Sequence, residues 1–100
     1  MFGFIYLIRL REFVITNQNI YKLGATRQQF NKRMKQYSAN SAKEIAFKTQ
    51  IPDCFRVEAE LKVIFKKRFE KMTDYGSEYF KGSKDEMIET ILHHIRNNKK

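Results

Sequence analysis

The side chains best equipped for chemistry in this chain are mostly cations. Lys32, Arg33 and Lys35 lie close together with Arg27 shortly before them, and Lys66, Lys67 and Arg68 are consecutive. Ammonium and guanidinium groups in such clusters attract polyanions, and the planar fork of Arg matches phosphate oxygens. Carboxylates are fewer. Glu58 stands four residues before Lys62, the spacing of an ion pair on a helix, and Glu60 is a rival two positions on. Cys54 is the single cysteine, so neither an internal disulfide nor a metal site built from several thiolates can form. His93 and His94 are adjacent and do not make a zinc site on their own. They read as solvated residues of a helix.

The charge balance points the same way. Twenty Lys and Arg oppose eleven Asp and Glu, a net +9 in 100 residues. The excess implies a polyanionic partner, of which nucleic acid is the commonest, against the plainer alternative of a soluble protein with a basic surface. Part of the excess sits in a basic tail at 97–100, outside a single domain at 1–96. Hydrophobic residues make up 42%, with nine Phe, which fills one modest core. No apolar run approaches the roughly 20 residues of a membrane span, so no membrane partner is expected. The opening MFGFIYLIRL lacks a basic n-region and a cleavage site, so it does not read as a signal peptide. With one Cys, the expected compartment is intracellular and reducing, cytoplasm or nucleus.

The elements that must position these groups follow from the apolar pattern. Residues 2–8 (FGFIYLI) form a continuous apolar run rich in aromatic and β-branched residues, which predicts a strand covered on both faces. A polar break over 10–19 leads to a second strand at Ile20–Gly24, paired with the first as a hairpin. Thr26 and Gln29 have the spacing of a capping box, opening a helix to about Tyr37 with Phe30, Met34 and Tyr37 on one side. A loop at 38–41 and a third strand at Glu44–Thr49 follow. Pro52 ends that strand, and Asp53 is placed to cap a helix from Cys54 to about Met72. Asp74–Ser77 reads as a turn and 78–80 as a brief extended piece. Ser83 and Glu86 form a second capping box before a last helix that buries Met87, Ile88, Ile91, Leu92 and Ile95. The order ββαβαα is that of an α+β domain: a small, mainly antiparallel three-stranded sheet flanked by helices.

Several short pieces then read together. They are Phe4-Ile5-Tyr6-Leu7-Ile8, Ile20-Tyr21-Lys22-Leu23-Gly24-Ala25-Thr26, Arg33, the helix bearing Glu58, and Gly76-Ser77-Glu78-Tyr79-Phe80. In this order and spacing the chain resembles the GIY-YIG nuclease superfamily. It is most similar to the branch described as a phage open-reading-frame DNA-binding domain, also found in large DNA viruses. The resemblance implies a GIY-YIG-like fold and a magnesium-dependent (or manganese-dependent) DNA endonuclease. Tyr6 would help position or deprotonate the attacking water, Arg33 would bind the scissile phosphate, and Glu58 would hold one divalent ion. Such chemistry is sensible, because phosphodiester hydrolysis develops negative charge that a cation and a guanidinium stabilise.

Aligned on Gly24, the superfamily's second tyrosine falls on Lys22 and not on Tyr21. Strand side chains alternate faces, so only one of the two enters the cleft. Lys22 there would contact phosphate, or act as a base only with a lowered pKa. Plainer roles exist for each residue: Tyr6 as a core aromatic, Arg33 as a solvated helix charge, Glu58 as the partner of Lys62. Glu78 reads as structural, bonding a nearby amide. An alternative function is a non-catalytic DNA-binding module of the same fold, using Arg27, Lys32, Lys35, Lys66 and Lys67; another is a basic domain for an acidic protein partner. The length leaves no separate DNA-recognition domain, so sequence preference would require a homo-oligomer or another chain.

Overall fold

Gly3, Ile5 and Leu7 point to one side of the first strand and Phe4, Tyr6 and Ile8 to the other, and both sets are covered. The structure, a computed structural model, describes residues 2–35, 43–76 and 78–97. Strand β1 (Phe2–Arg9) lies inside a five-stranded antiparallel sheet of order β3-β1-β2-β5-β4. Its neighbours are β2 (Ile20–Thr26) and β3 (Glu44–Pro52), and the short strands β4 (Glu70–Lys71) and β5 (Tyr79–Lys81) extend the β2 side. Helix α1 (Arg11–Ile15) bridges β1 and β2, α2 (Phe30–Lys35) follows β2, α3 (Cys54–Arg68) follows β3, and α4 (Lys84–Asn97) ends the described fold.

The α+β class holds, but the sheet has five strands and not three. Of the two additional strands, β5 is the brief extended piece expected at 78–80, here paired into the sheet, and β4 has only two residues, too few for alternation to be visible. Glu70 and Lys71 also continue the helical pattern of α3, whose last turn in fact closes at Arg68 with Phe69 already extended. Tertiary pairing with β5, and not local propensity, makes them a strand. Helix α1 occupies the polar break; Phe13 is its one buried residue and anchors it. Thr26 ends β2 instead of capping a helix, its hydroxyl accepting from the Gln28 amide at 3.1 Å. Asp53 takes a left-handed φ of 52° and makes no side-chain cap. The Ser83 box is half formed, with the Glu86 amide donating to Ser83 Oγ at 3.3 Å. The expected helix end at Tyr37, the loop at 38–41, Ser77 of the turn and tail residues 98–100 lie outside the described residues.

The two sheet faces carry different cores. On one, Ile5, Leu7, Tyr21 and Leu23 pack against Val57, Leu61 and Phe65 of α3 and Met87 and Ile91 of α4. On the other, Tyr6 and Ile8 pack against Phe30 and Met34 of α2. The β1–β2 register sets Tyr6 opposite Gly24 and Ile8 opposite Lys22. The Tyr6 ring lies directly across the Gly24 backbone: a Cβ there would come within 2.5 Å of the Tyr6 hydroxyl oxygen. Only glycine leaves that space.

Gly24→Ala is therefore expected to cost about 1–3 kcal/mol by overpacking. Thermal melts should show the loss, and adding Tyr6→Leu to the same chain should recover part of it. Recovery absent in the double variant would mean that the ring is not what demands the glycine.

Candidate functional site

Strand β2 carries the site. Gly24 lies beneath Tyr6, and Lys22 is two residues earlier on the same face. Arg33 sits in α2, a helix whose Phe30 and Met34 are buried against the sheet. That burial turns Arg33 inward, while Lys32 and Lys35 stay exposed. Its Nε donates to the Tyr6 hydroxyl at 3.3 Å. Phe30 meets the Tyr6 ring edge-on at 5.9 Å and holds it in place. A phenol of β1 and a guanidinium of α2, 27 residues apart in sequence, are thus joined above Gly24.

Glu58 arrives from the other side of the sheet. Helix α3 buries Cys54, Val57, Leu61 and Phe65, which leaves Glu58 and Lys62 on one flank of that stripe. Strand β5 pairs only Ile20, Tyr21 and Lys22 of β2, and the Leu23 amide then donates to the Glu78 carbonyl at 3.0 Å. Past Glu78 that edge of β2 is no longer paired with β5, and there Glu78 links the α3 flank to Lys22. Lys22 Nζ donates to Glu78 Oε2 at 2.5 Å and lies 5.0 Å from the centre of the Tyr79 ring. Lys62 Nζ reaches Glu78 Oε1 at 3.1 Å and Glu58 Oε2 at 3.5 Å. The Lys22 side chain is only 12% exposed and that of Glu58 14%, so this chain of charges is no solvated surface pair.

The two carboxyls are pushed in opposite directions. Burial raises the Glu58 pKa above the usual carboxylate value, and the charge of Glu78 adds to the rise while Lys62 opposes it. Burial also works against Glu78, but hydrogen bonds from Lys22 and Lys62 outweigh it and hold that carboxyl below the usual value. Glu58 is the under-compensated member, the carboxylate that an added cation would benefit. Among the described residues no group of three His, Cys, Asp or Glu side chains is arranged for a metal ion. A divalent ion here would rest on Glu58, with water filling the other positions, which suits magnesium.

The remaining sequence candidates sort by position. Tyr21 is buried in the opposite core, under the Arg9 guanidinium at 5.7 Å, and does not reach the Tyr6 group. Burial raises its pKa, the largest influence among neighbours that include Arg9, Glu44 and Lys84. Strand alternation thus leaves Lys22 as the residue on the Tyr6 face. Arg27 is exposed and stacks over the Phe55 ring at 5.1 Å, near the start of α3. Lys66 is one turn beyond Lys62 on the same helix, whereas Lys67 points about 100° further round. Glu60 faces away from the site, toward Arg56 at 3.0 Å and His94 at 2.8 Å. His94 is accordingly a half-buried hydrogen-bond partner of Glu60 on α3 and not a solvated residue.

Sequence reading missed the importance of Glu78. Its backbone carbonyl, not its carboxylate, serves the nearby amide, and the carboxylate gathers two lysines. No local pattern signals this, because it depends on β5 pairing with β2.

A family model, the T5orf172 domain, matches residues 3–95. The chain belongs to the T5orf172 domain family. The match to the T5orf172 domain runs from β1 into α4 and includes Tyr6, Lys22, Arg33, Glu58 and Glu78. Comparison with curated proteins and with solved structures gave no match.

The opposed shifts of Glu58 and Glu78 have opposite consequences for stability. A carboxyl whose pKa is raised by folding loses stability for the native state as pH rises from its ordinary 4.5 through the higher folded value. A lowered one contributes above 4.5, and that contribution disappears as pH falls through the folded value. At pH 7, Glu58→Gln should melt no lower than the native chain. Glu78→Gln should lose about 1–2 kcal/mol, since both lysines lose a partner. Melts repeated at pH 3 should show the Glu78 difference shrinking.

Proposed function

We propose that this T5orf172 domain binds DNA and hydrolyses phosphodiester bonds with magnesium or manganese, in the manner of the GIY-YIG superfamily it resembles. The observation that carries the reading is the Tyr6–Arg33 hydrogen bond above Gly24, set beside the Lys22–Glu78–Lys62–Glu58 chain on the same stretch of β2. The phage association of the family and the net +9 charge both favour a DNA-directed role.

In this reading the Arg33 guanidinium binds an oxygen of the scissile phosphate. Its bond to Tyr6 fixes the phenol next to that phosphate, where the hydroxyl orients the attacking water. The Lys22 ammonium, steered by Glu78 and the Tyr79 ring, meets a second phosphate oxygen. Glu58 holds the divalent ion, which supplies charge stabilisation for the phosphate oxygens when bound. Arg27, Lys32, Lys35 and Lys66 contact the flanking backbone. Those contacts give affinity without sequence preference.

A second reading is a DNA-binding module of the same fold without catalysis. It is favoured by Lys22 in the tyrosine position and by the Lys62 ammonium already lying on Glu58. Here Lys22, Arg33 and the exposed cations all serve as phosphate contacts.

Incubation of duplex DNA with magnesium separates the two. The enzyme reading expects strand cleavage that falls at least about 100-fold in Glu58→Gln and Arg33→Ala, with melting temperatures near native for Glu58→Gln. Salt-sensitive binding without any cleavage by the native chain would establish the module instead. In either case log affinity should fall linearly with log salt, and removing Lys32 and Lys35 together should flatten the slope by about two.

A further inference from the structure

The last turn of α3 meets the middle of α4 on the other side of the molecule from Tyr6. Arg68 is in the last turn of α3 and Arg96 in the last turn of α4. Cations suit the negative end of a helix dipole, but the dipole does not require them to converge. These two nevertheless line one cleft, of about 580 Å³, together with Glu89, Leu92 and His93. Its size lies within the range of small-molecule sites.

The cleft is partly built and partly open. Arg68 Nη1 donates to Thr90 Oγ1 at 3.1 Å, and the nearly fully buried Thr90 hydroxyl donates to the Glu86 carbonyl at 2.7 Å. That anchor uses one of the five guanidinium N–H groups and fixes the plane of the rest. Among the described residues, neither Arg68 nor Arg96 has a carboxylate within ion-pair distance. Two arginines that line one cleft, neither ion-paired with the Glu89 carboxylate beside them, are a site for an oxyanion. Glu89 on the same wall accepts hydrogen bonds and disfavours a bare anion. Leu92 offers an apolar surface, and the His93 ring, with Nε2 at 2.9 Å from Asn97 Nδ2, is held in orientation. The ligand that satisfies all of these carries a phosphate, a hydroxyl or amino donor, and a flat apolar part.

We propose that this cleft between α3 and α4 binds a nucleotide, with Arg68 and Arg96 on the phosphate and Glu89 accepting from the sugar or base. It is a second site, on the face of the sheet opposite Tyr6 and Arg33. The nucleotide is either free or a unit of a bound strand.

The test is an NMR titration of the full chain with dAMP, alongside inorganic phosphate and deoxyadenosine. Saturable shifts confined to Arg68 and residues 89–96, absent with deoxyadenosine, are expected. Arg96→Gln, an exposed change that spares the Thr90 anchor, should weaken dAMP about tenfold. Glu89→Gln should weaken dAMP while leaving inorganic phosphate unchanged or tighter. No saturable shift at millimolar dAMP, shifts centred on Tyr6 and Arg33 instead, or an Arg96→Gln affinity equal to native would each overturn the proposal. Duplex DNA then distinguishes the source. A strand unit is the ligand if Arg96→Gln also weakens duplex binding, and a free nucleotide if it does not. Failure here leaves the cleavage assay on Glu58 and Arg33 unaffected, since neither residue touches this cleft.

Discussion

The close crossing of the Tyr6 ring over Gly24 governs the geometry of this domain. Strands β1 and β2 pair at the middle of the sheet with Tyr6 opposite Gly24, and the missing Cβ lets the ring lie flat across its neighbour. A larger residue at position 24 would lift the phenol away from the sheet. The hydroxyl would then leave the reach of Arg33, and the packing of Phe30 on the ring would be lost. Because β1 and β2 are adjacent and antiparallel, the same register also sets Lys22 on the Tyr6 side. One steric condition thereby orders three of the groups that the site needs.

The second organising feature is electrostatic. Four charged side chains from β2, α3 and the lead into β5 alternate in sign: Lys22, Glu78, Lys62 and Glu58. Each is partly withdrawn from water, so each depends on the others for compensation. Glu78 sits between two ammonium groups and is well satisfied. Glu58 shares one ammonium and is not. An arrangement with one carboxylate over-served and its neighbour under-served is how environments separate otherwise identical groups into different roles. It also links α3 to β2 where β5 ends, which brings a residue of α3 close to the face packed under α2.

Much of the scaffold was legible in the residues. The unbroken apolar run FGFIYLI demanded burial on both faces, and β1 has helices on both. The helical spacing of Val57, Leu61, Ile64 or Phe65, and Phe69 declared α3, in which Phe65 is the buried one of its pair and Phe69 lies beyond the helix end, and Met87 with Ile91 declared α4. Where the reading failed, the pattern was too short or was overridden. The extended piece at 78–80 was legible but not its place in the sheet as β5, and Glu70–Lys71, too short for a period of two to show, looked like a continuing helix until pairing with β5 claimed them. Helix α1 rests on Phe13 alone, so no periodicity announced it. Thr26 and Gln29 had the spacing of a cap, but the pairing of Phe4 with Thr26 kept that residue in the strand.

The amino-acid sequence by itself determined the net charge and the pool of candidate groups, because both are set by composition and survive any fold. It also determined that Tyr21 and Lys22 must face opposite ways, since alternation is a property of every strand. Only the tertiary structure decided which of the two shares a face with Tyr6, because that depends on the register between β1 and β2. Only it decided that Glu78 belongs with Glu58 while Glu60 turns to α4, since those distances arise from strand pairing and helix packing between residues far apart in the chain. Contacts of that kind have no local signature: their energy exists only once distant segments have been brought together.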